Sequence, residues 1–410
     1  MQGYSWKMVN IGFRRRYHMS ARLFSIRFSL SYALMMLGTG VQLPFLPLWL
    51  SAKGIDYSGI AFIIGAMMAV RVVSAPLFAW LADKLGHRRT LIIVCSVLAF
   101  ASYVGLGFMD GFWPIASMAL LAAFFFAPVF PLSEGFSVDA SAALGLDYGR
   151  MRLWASLSFL AGSMGSGLLL TQLDPLATAW LLAGAMGMTV VSALLLPPEP
   201  AALRKREEST ETPLSTGRFL FASSFPLFLL AAGLAQASHG LMNSFSSVYW
   251  HGLGFDPFAI GLFWAVAVTF EVALLAYSNA VVGRFGPGMI FLMGVGGGGV
   301  RWLLTAFATS MPLIMALQTL HAVSFAMTHL GTMHMIRLMV PAKMRNRAQG
   351  LHSALSGGLL MSASMLSSGP LFERYGGHAY LFMAAISLLA FSLAVTLLRV
   401  NPRVRAAAAA

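Results

Sequence analysis

The chain has one cysteine, Cys95, among 410 residues, which excludes an internal disulfide framework. Cys95 lies inside an apolar run, where packing is its expected role. Charge is also scarce: only 10% of residues are Asp, Glu, Lys or Arg, against about a quarter in an ordinary globular chain. So few charged side chains cannot coat a water-facing surface of this size. With 58% hydrophobic residues and a mean hydropathy of +0.76, most of the chain must face lipid or other apolar helices. The motifs of the common chemistries are missing too. There is no Walker phosphate loop, no Gly-x-Ser-x-Gly elbow, no His-Glu-x-x-His zinc motif and no dinucleotide fingerprint. Neither ATP-driven pumping nor intramembrane hydrolysis has residues to rest on, no cofactor is implied, and the chain is not expected to be an enzyme.

Acidic residues number 14 against 27 basic ones, a net charge of +13 with a pI near 10.4. Such a balance can signal nucleic-acid binding, but here Lys and Arg fall in short clusters between long apolar runs. That pattern belongs to the loops of an inner-membrane protein surrounded by lipid, and no nucleic-acid partner is expected. Twelve apolar segments are long enough to span a bilayer: 25–50, 57–82, 90–109, 112–136, 148–171, 176–196, 224–250, 257–282, 287–309, 312–339, 346–370 and 377–399. The expected fold is therefore all-α, and an even number of crossings puts both ends on one side. Residues 1–24 carry Lys7, Arg14, Arg15, Arg16 and Arg22 without a cleavage site after a short apolar core, so they read as a basic cytosolic tail. Between two six-helix bundles, 25–196 and 219–399, the hydrophilic stretch 197–218 reads as a cytosolic linker, and 400–410 as a second cytosolic tail. With this orientation 23 of the 27 basic residues lie on the cytosolic side. Outer loops hold only Lys53 and Arg374, and Arg71 and Arg301 fall within the membrane.

The two halves repeat at an offset of 200 residues. Gly54, Asp56 and Ile60 match Gly254, Asp256 and Ile260, Gly86 matches Gly286, and Lys84 matches Arg284. A parallel duplication of six helices about an axis normal to the membrane is the transporter plan in which solute binds near the midplane, between the halves.

The loop after the second segment runs Ala79-Trp80-Leu81-Ala82-Asp83-Lys84-Leu85-Gly86-His87-Arg88-Arg89. It resembles the signature of the major facilitator superfamily, with Ala79 where that signature begins with glycine. The turn needs Gly86, and Asp83 is placed to meet the positive end of the helix starting near Asn346, so that Asp83, Lys84, Gly86, Arg88 and Arg89 would act as a conformational latch. In the second half Gly283 stands where the Asp would be, so the latch is one-sided. Asp147 to Trp154, Arg301 to Ala306, and Gln318 to Ala322 with Phe325 and His329 look like the phenylpropionate permease family within that superfamily, a set similar to lactose and nucleoside proton symporters. The resemblance implies proton-coupled uptake of a small organic solute, with aromatic acids such as phenylpropionate as the expected substrate; the chain is expected to act as a monomer.

An ionisable side chain at mid-membrane costs roughly 2.5 to 3.5 kcal/mol on insertion scales, so each should line a cavity or have a partner. Arg71 and Glu271 occupy the same repeat position in the second and eighth segments. Arg301 and His321, on adjacent antiparallel segments, stand at nearly equal height, with Glu271 about one turn deeper. The expected site joins Glu271 as proton acceptor, Arg301 as its counter-charge, His321 or Gln318 as bridge, and Arg71 for a substrate carboxylate. Glu134 is expected to pair with Arg150 or Arg152, or to touch substrate. His321, His329 and His334 have spacings that do not suit a metal. Trp49, Tyr249, Trp250 and Trp264 could stack on a flat solute, although packing is their default role. A non-transporting membrane scaffold has no reason to keep charges at this depth, which favours secondary active transport by alternating access. Proton-driven efflux of amphipathic compounds and sugar or nucleoside uptake are the alternatives.

The topology is checked by placing cysteines at Ser209 and at Asp110 and labelling intact cells with an impermeant thiol reagent. Position 110 should label and position 209 should not; labelling of 209 from outside would invert the assignment.

Overall fold

The computed structural model describes residues 21–197, 224–402, 404 and 405. The basic tail up to residue 20 and the linker from 198 to 218 lie outside the described residues, as does 406–410. Every regular element among the described residues is helical. In chain order the helices are α1 (Ala21–Ala52), α2 (Tyr57–Leu85), α3 (Arg88–Gly107), α4 (Phe112–Phe126 continued by Val129–Leu144), α5 (Tyr148–Leu170) and α6 (Thr178–Leu195). The second half holds α7 (Phe225–Ala237 continued by Gly240–Gly252), α8 (Pro257–Ala276), α9 (Ser278–Thr305) and α10 (Met311–Thr319 continued by Thr328–Met339). It ends with α11 (Arg345–His352 continued by Met361–Tyr375) and α12 (Tyr380–Val400). Eleven helical stretches are long and apolar enough to cross a membrane, and the last of them, Ala342–Val400, has 59 residues. At 1.5 Å per residue that is about 88 Å, far more than one crossing. The stretch turns back at Gly376, whose φ of 54° few other residues adopt, and so supplies both α11 and α12.

The sequence repeat is visible in the backbone. At the start of α2 the Asp56 carboxylate accepts from the Gly59 N–H at 2.9 Å, and at the start of α8 Asp256 does the same from Ala259 at 2.7 Å. Gly86 ends α2 at φ 64°, its N–H bonded back to Ala82 O at 2.9 Å. Its counterpart Gly286 has φ 71° and ψ 157°, so the helical run from Ser278 breaks there and the membrane-crossing part of α9 begins with Pro287, a residue suited to a first helical turn.

The halves meet through α2 against α11 and α5 against α8. Their named contacts cluster at the end of the bundle away from the termini. Ser163 Oγ donates to Gly261 O at 2.7 Å. Tyr57 packs edge-on against Phe245 and Phe372, which stack on each other at 4.8 Å between centroids. The main core, built on buried Phe45, Trp49, Trp250 and Trp302, joins both halves at this level. Two smaller clusters, one per half, fill the opposite ends around Phe28 and Phe136 in the first and Phe228 and Phe291 in the second.

Replacing Asp56 or Asp256 with alanine removes a cap worth about 1 kcal/mol, whereas asparagine keeps most of it. Each alanine variant should melt a few degrees lower in detergent than its asparagine counterpart, and equal melting temperatures would show the caps to be inert.

Candidate functional site

Arg301 in α9 is 1% exposed, and every polar atom of its guanidinium is engaged. Nε donates to Leu317 O at 3.1 Å, Nη1 to His321 Nδ1 and to Ser324 Oγ at 3.0 Å each, and Nη2 to Gln318 Oε1 at 2.9 Å and Met242 Sδ at 3.3 Å. Local structure makes this possible. The α-helical ladder of α10 ends at Thr319 and passes through a π turn, Ala322–Met327, before resuming, so the last turn before the break turns polar groups toward α9. None of the five partners carries a full negative charge. The carboxylate of this chain is one step further on: His321 Nε2 lies 3.3 Å from Glu271 Oε2 on α8. A guanidinium can only donate, so His321 Nδ1 must accept from it. The imidazole proton therefore sits on Nε2, facing Glu271. Arg301, Gln318, His321 and Glu271 are thus brought together as the depth argument anticipates, with His321 rather than Gln318 in line between the charges.

Arg71 stands apart from this group. It lies on α2 and faces a cavity of about 500 Å³ enclosed mainly by the first half, with Asn243, Phe325 and Met365 contributed by the second. Its recorded polar neighbour is Met68 Sδ at 4.0 Å, and no acidic residue among those described pairs with it. The walls near it are thioether and aromatic: Met36, Met67, Met68, Phe126 and Phe130. Arg152 also lines the cavity but is committed, with Nε 3.4 Å from Glu134 Oε1 and the guanidinium 4.9 Å above the Phe130 ring. Glu134 further accepts from Tyr148 Oη at 2.5 Å, and Arg150 turns instead to Asp147 at 3.5 Å. Glu134 is therefore a structural partner of Arg152 here. Trp49, Trp250 and Trp264 are buried and Tyr249 packs on Phe372; none of the four lines the cavity.

The loop after α2 splits into two roles. Arg88 pairs with Asp139 on α4 at 3.0 Å, and Arg89 donates to Leu196 O at 2.7 Å and Leu194 O at 3.1 Å at the end of α6. Both fasten the first half to itself. Lys84 rests over the Trp80 ring at 4.9 Å, and Asp83 is exposed with no ion pair among the described residues. The helix it was expected to reach begins at Arg345.

A buried histidine escaped the sequence reading. His239 sits in the break of α7, 3% exposed, its Nδ1 3.2 Å from Ala235 O and its ring edge-on to Trp302, His321 and Phe325. The break is closed by Ser238, which donates to Ala235 O at 2.7 Å and accepts from Trp302 Nε1 at 3.0 Å. No spacing rule links residue 239 to 301 and 321, because the junction depends on how helices face one another.

A sequence model of the MFS_1 like family matches residues 25–397. The chain is 28% identical over 372 residues to a probable 3-phenylpropionic acid transporter of Escherichia coli (strain K12), covering 89% of this chain and 96% of that one. It is 25% identical to the maltose permease of Geobacillus stearothermophilus over 371 residues, 88% of this chain and 91% of the relative. Among solved structures, the nucleoside transporter NupG superposes with a TM-score of 0.82 at 16% identity, covering 92% of this chain and all of that one (100%). At that identity the last likeness concerns the fold.

Since Asp83 has no ion pair among the described residues, Asp83→Asn should leave equilibrium binding within about twofold of the parent while slowing counterflow. A variant with an unchanged rate at saturating solute would remove Asp83 from the conformational cycle.

Proposed function

The chain belongs to the MFS_1 like family, and from that membership we propose that it moves a small anionic aromatic solute across the cytoplasmic membrane by alternating access, driven by protons. The basic-residue count supports cytosolic termini, and with that orientation the packed end of the bundle is the outer one and the bundle is closed toward the outside. The observation that carries the substrate reading is the cavity: about 500 Å³, the size range of small-molecule sites, with aromatic and thioether walls and one guanidinium with no acid paired to it among the described residues. A carboxylate satisfies Arg71 through charge-assisted hydrogen bonds, and a flat ring is accommodated by the Phe and Met walls.

Coupling is assigned to Glu271. His321 cannot take a second proton without turning an N–H toward the Arg301 guanidinium, so of these three groups the carboxylate is the one free to load. A protonated Glu271 no longer offers its charge to the His321 N–H. Nor can it pass its proton to Nε2 and displace the imidazole proton to Nδ1, because Arg301 holds that lone pair. Loading thus breaks the contact between α8 and α10 while sparing that between α9 and α10. In this cycle Asp83 holds the cytosolic ends of the two halves together in the opposite state, while Arg88 and Arg89 keep the first half fastened to itself.

Glu271→Gln fixes a neutral side chain of similar shape. It should abolish accumulation of 3-phenylpropionate against its gradient in proteoliposomes under an imposed pH gradient, and should abolish the alkalinisation that accompanies solute addition. Exchange, which needs no net proton movement, should persist. Uphill accumulation by this variant would move the proton site elsewhere, and retained accumulation without alkalinisation would indicate another driving ion.

A further inference from the structure

We propose that Gln42 is the second group gripping the anionic end of the solute, and that Tyr103 is the positioning residue that aims it. This rests on the reading of the Arg71 cavity as an anion site and specifies how that site tells an acid from a neutral analogue.

Tyr103 on α3 is fully buried, at 0% exposure, yet carries a hydroxyl that must donate somewhere. Its recorded hydrogen bond is to Gln42 Oε1 on α1, at 2.8 Å. An amide has one carbonyl and one NH2, and the phenol claims the carbonyl. The NH2 of Gln42 is therefore turned away from Tyr103, in a half-buried side chain that lines the cavity, and no acceptor among the described residues takes it. Arg71 on the adjacent α2 presents only donors to the same space. The remaining polar lining groups are Thr39, one turn before Gln42, Asn243 across the cavity, Arg152, already held by Glu134, and Tyr103 itself, whose hydroxyl proton is committed to Gln42.

Two donor-only heads on neighbouring helices, with no carboxylate between them, match a group with two oxygens and a negative charge. A carboxamide offers one oxygen and brings an NH2 that faces donors, so it forfeits one contact and meets a mismatch at the other. Without the Tyr103 hydroxyl the Gln42 amide is free to rotate by half a turn and present its oxygen to the solute, which repels the acid. Tyr103 thus sets selectivity by holding the Gln42 amide, to which its own hydroxyl proton is committed.

The test uses full-length purified protein, with binding of 3-phenylpropionate and of 3-phenylpropionamide measured by calorimetry. Gln42→Met and Tyr103→Phe should each weaken binding of the acid by about tenfold or more, the loss expected for a hydrogen bond to a charged group, while the amide changes by less than about threefold. The double variant, which leaves no buried hydroxyl without a partner and so guards against misfolding of Gln42→Met, should be no worse than Gln42→Met alone. Unchanged acid affinity in Tyr103→Phe, or additive losses in the double variant, would overturn the positioning role. Arg71→Met separates the two levels. If it abolishes the acid-over-amide preference while the Gln42 variants keep it, the cavity reading stands and the Gln42 assignment falls. If the wild type shows no preference for the acid, or Arg71→Met retains it, the anion-site reading itself falls.

Discussion

A guanidinium buried in the middle of a membrane protein must have its charge answered by protein alone, and the second half of this chain is arranged around that demand at Arg301. Water cannot solvate a side chain 1% exposed, and every nearby contact is with a neutral group. Five polar contacts replace the hydration shell, but they do not neutralise the charge. Neutralisation is left to Glu271, one imidazole away. The irregular course of α10, with its π turn beside the cluster, and the cation–ring approach of Arg301 to Trp302 at 4.5 Å follow from packing polar atoms densely enough around one cation.

The two halves descend from one repeat, yet they use the same position for opposite ends. Residue 71 is a cation open to a cavity, and residue 271 is a carboxylate tied to a histidine. The difference has a physical logic. A free cation in a cavity attracts an anionic solute and costs least when the cavity is wet or occupied. A carboxylate that trades protons needs a fixed neighbour whose own protonation cannot change, and a histidine locked by arginine is such a neighbour. The repeat offers two equivalent positions, and in the proposed cycle the side chains there divide attraction and coupling between them.

Much of this was legible from residue order. A lipid-facing crossing demands about 20 apolar residues, so the helices announce themselves, and the turns at Gly86 and Gly286 and the caps at Asp56 and Asp256 recur at the repeat offset with the geometry that glycine and aspartate supply. Helical rise also gave the heights of Arg301, His321 and Glu271. It could not give azimuth. Arg71 matches Glu271 in the repeat but faces a cavity that Glu271 does not line, and the partners of Gln42 and His239 depend on helix rotation that hydropathy does not encode. Nor do the breaks in α10 and α11 leave a mark in an apolar pattern, because a π turn changes the hydrogen-bond ladder without changing the polarity of the residues.

The cavity and the Arg301 chain are separate in composition but share one side chain. Phe325 lines the cavity, and its ring lies parallel to the His321 imidazole, 5.0 Å away at 8°. On its other face the His329 ring is also parallel, at 6.4 Å and 7°. Phe325 belongs to the π turn that begins immediately after His321, so a displacement of its ring is carried by the segment of α10 where the α-helical ladder is interrupted. A solute that presses on this ring in the cavity bears on the imidazole that separates Arg301 from Glu271, and a change in the His321–Glu271 contact tilts the wall that the solute touches. In the proposed cycle solute and proton therefore sense each other through contact, without a charge having to cross the cavity, and the Phe325 ring, which borders both sites, is where the two binding events are joined.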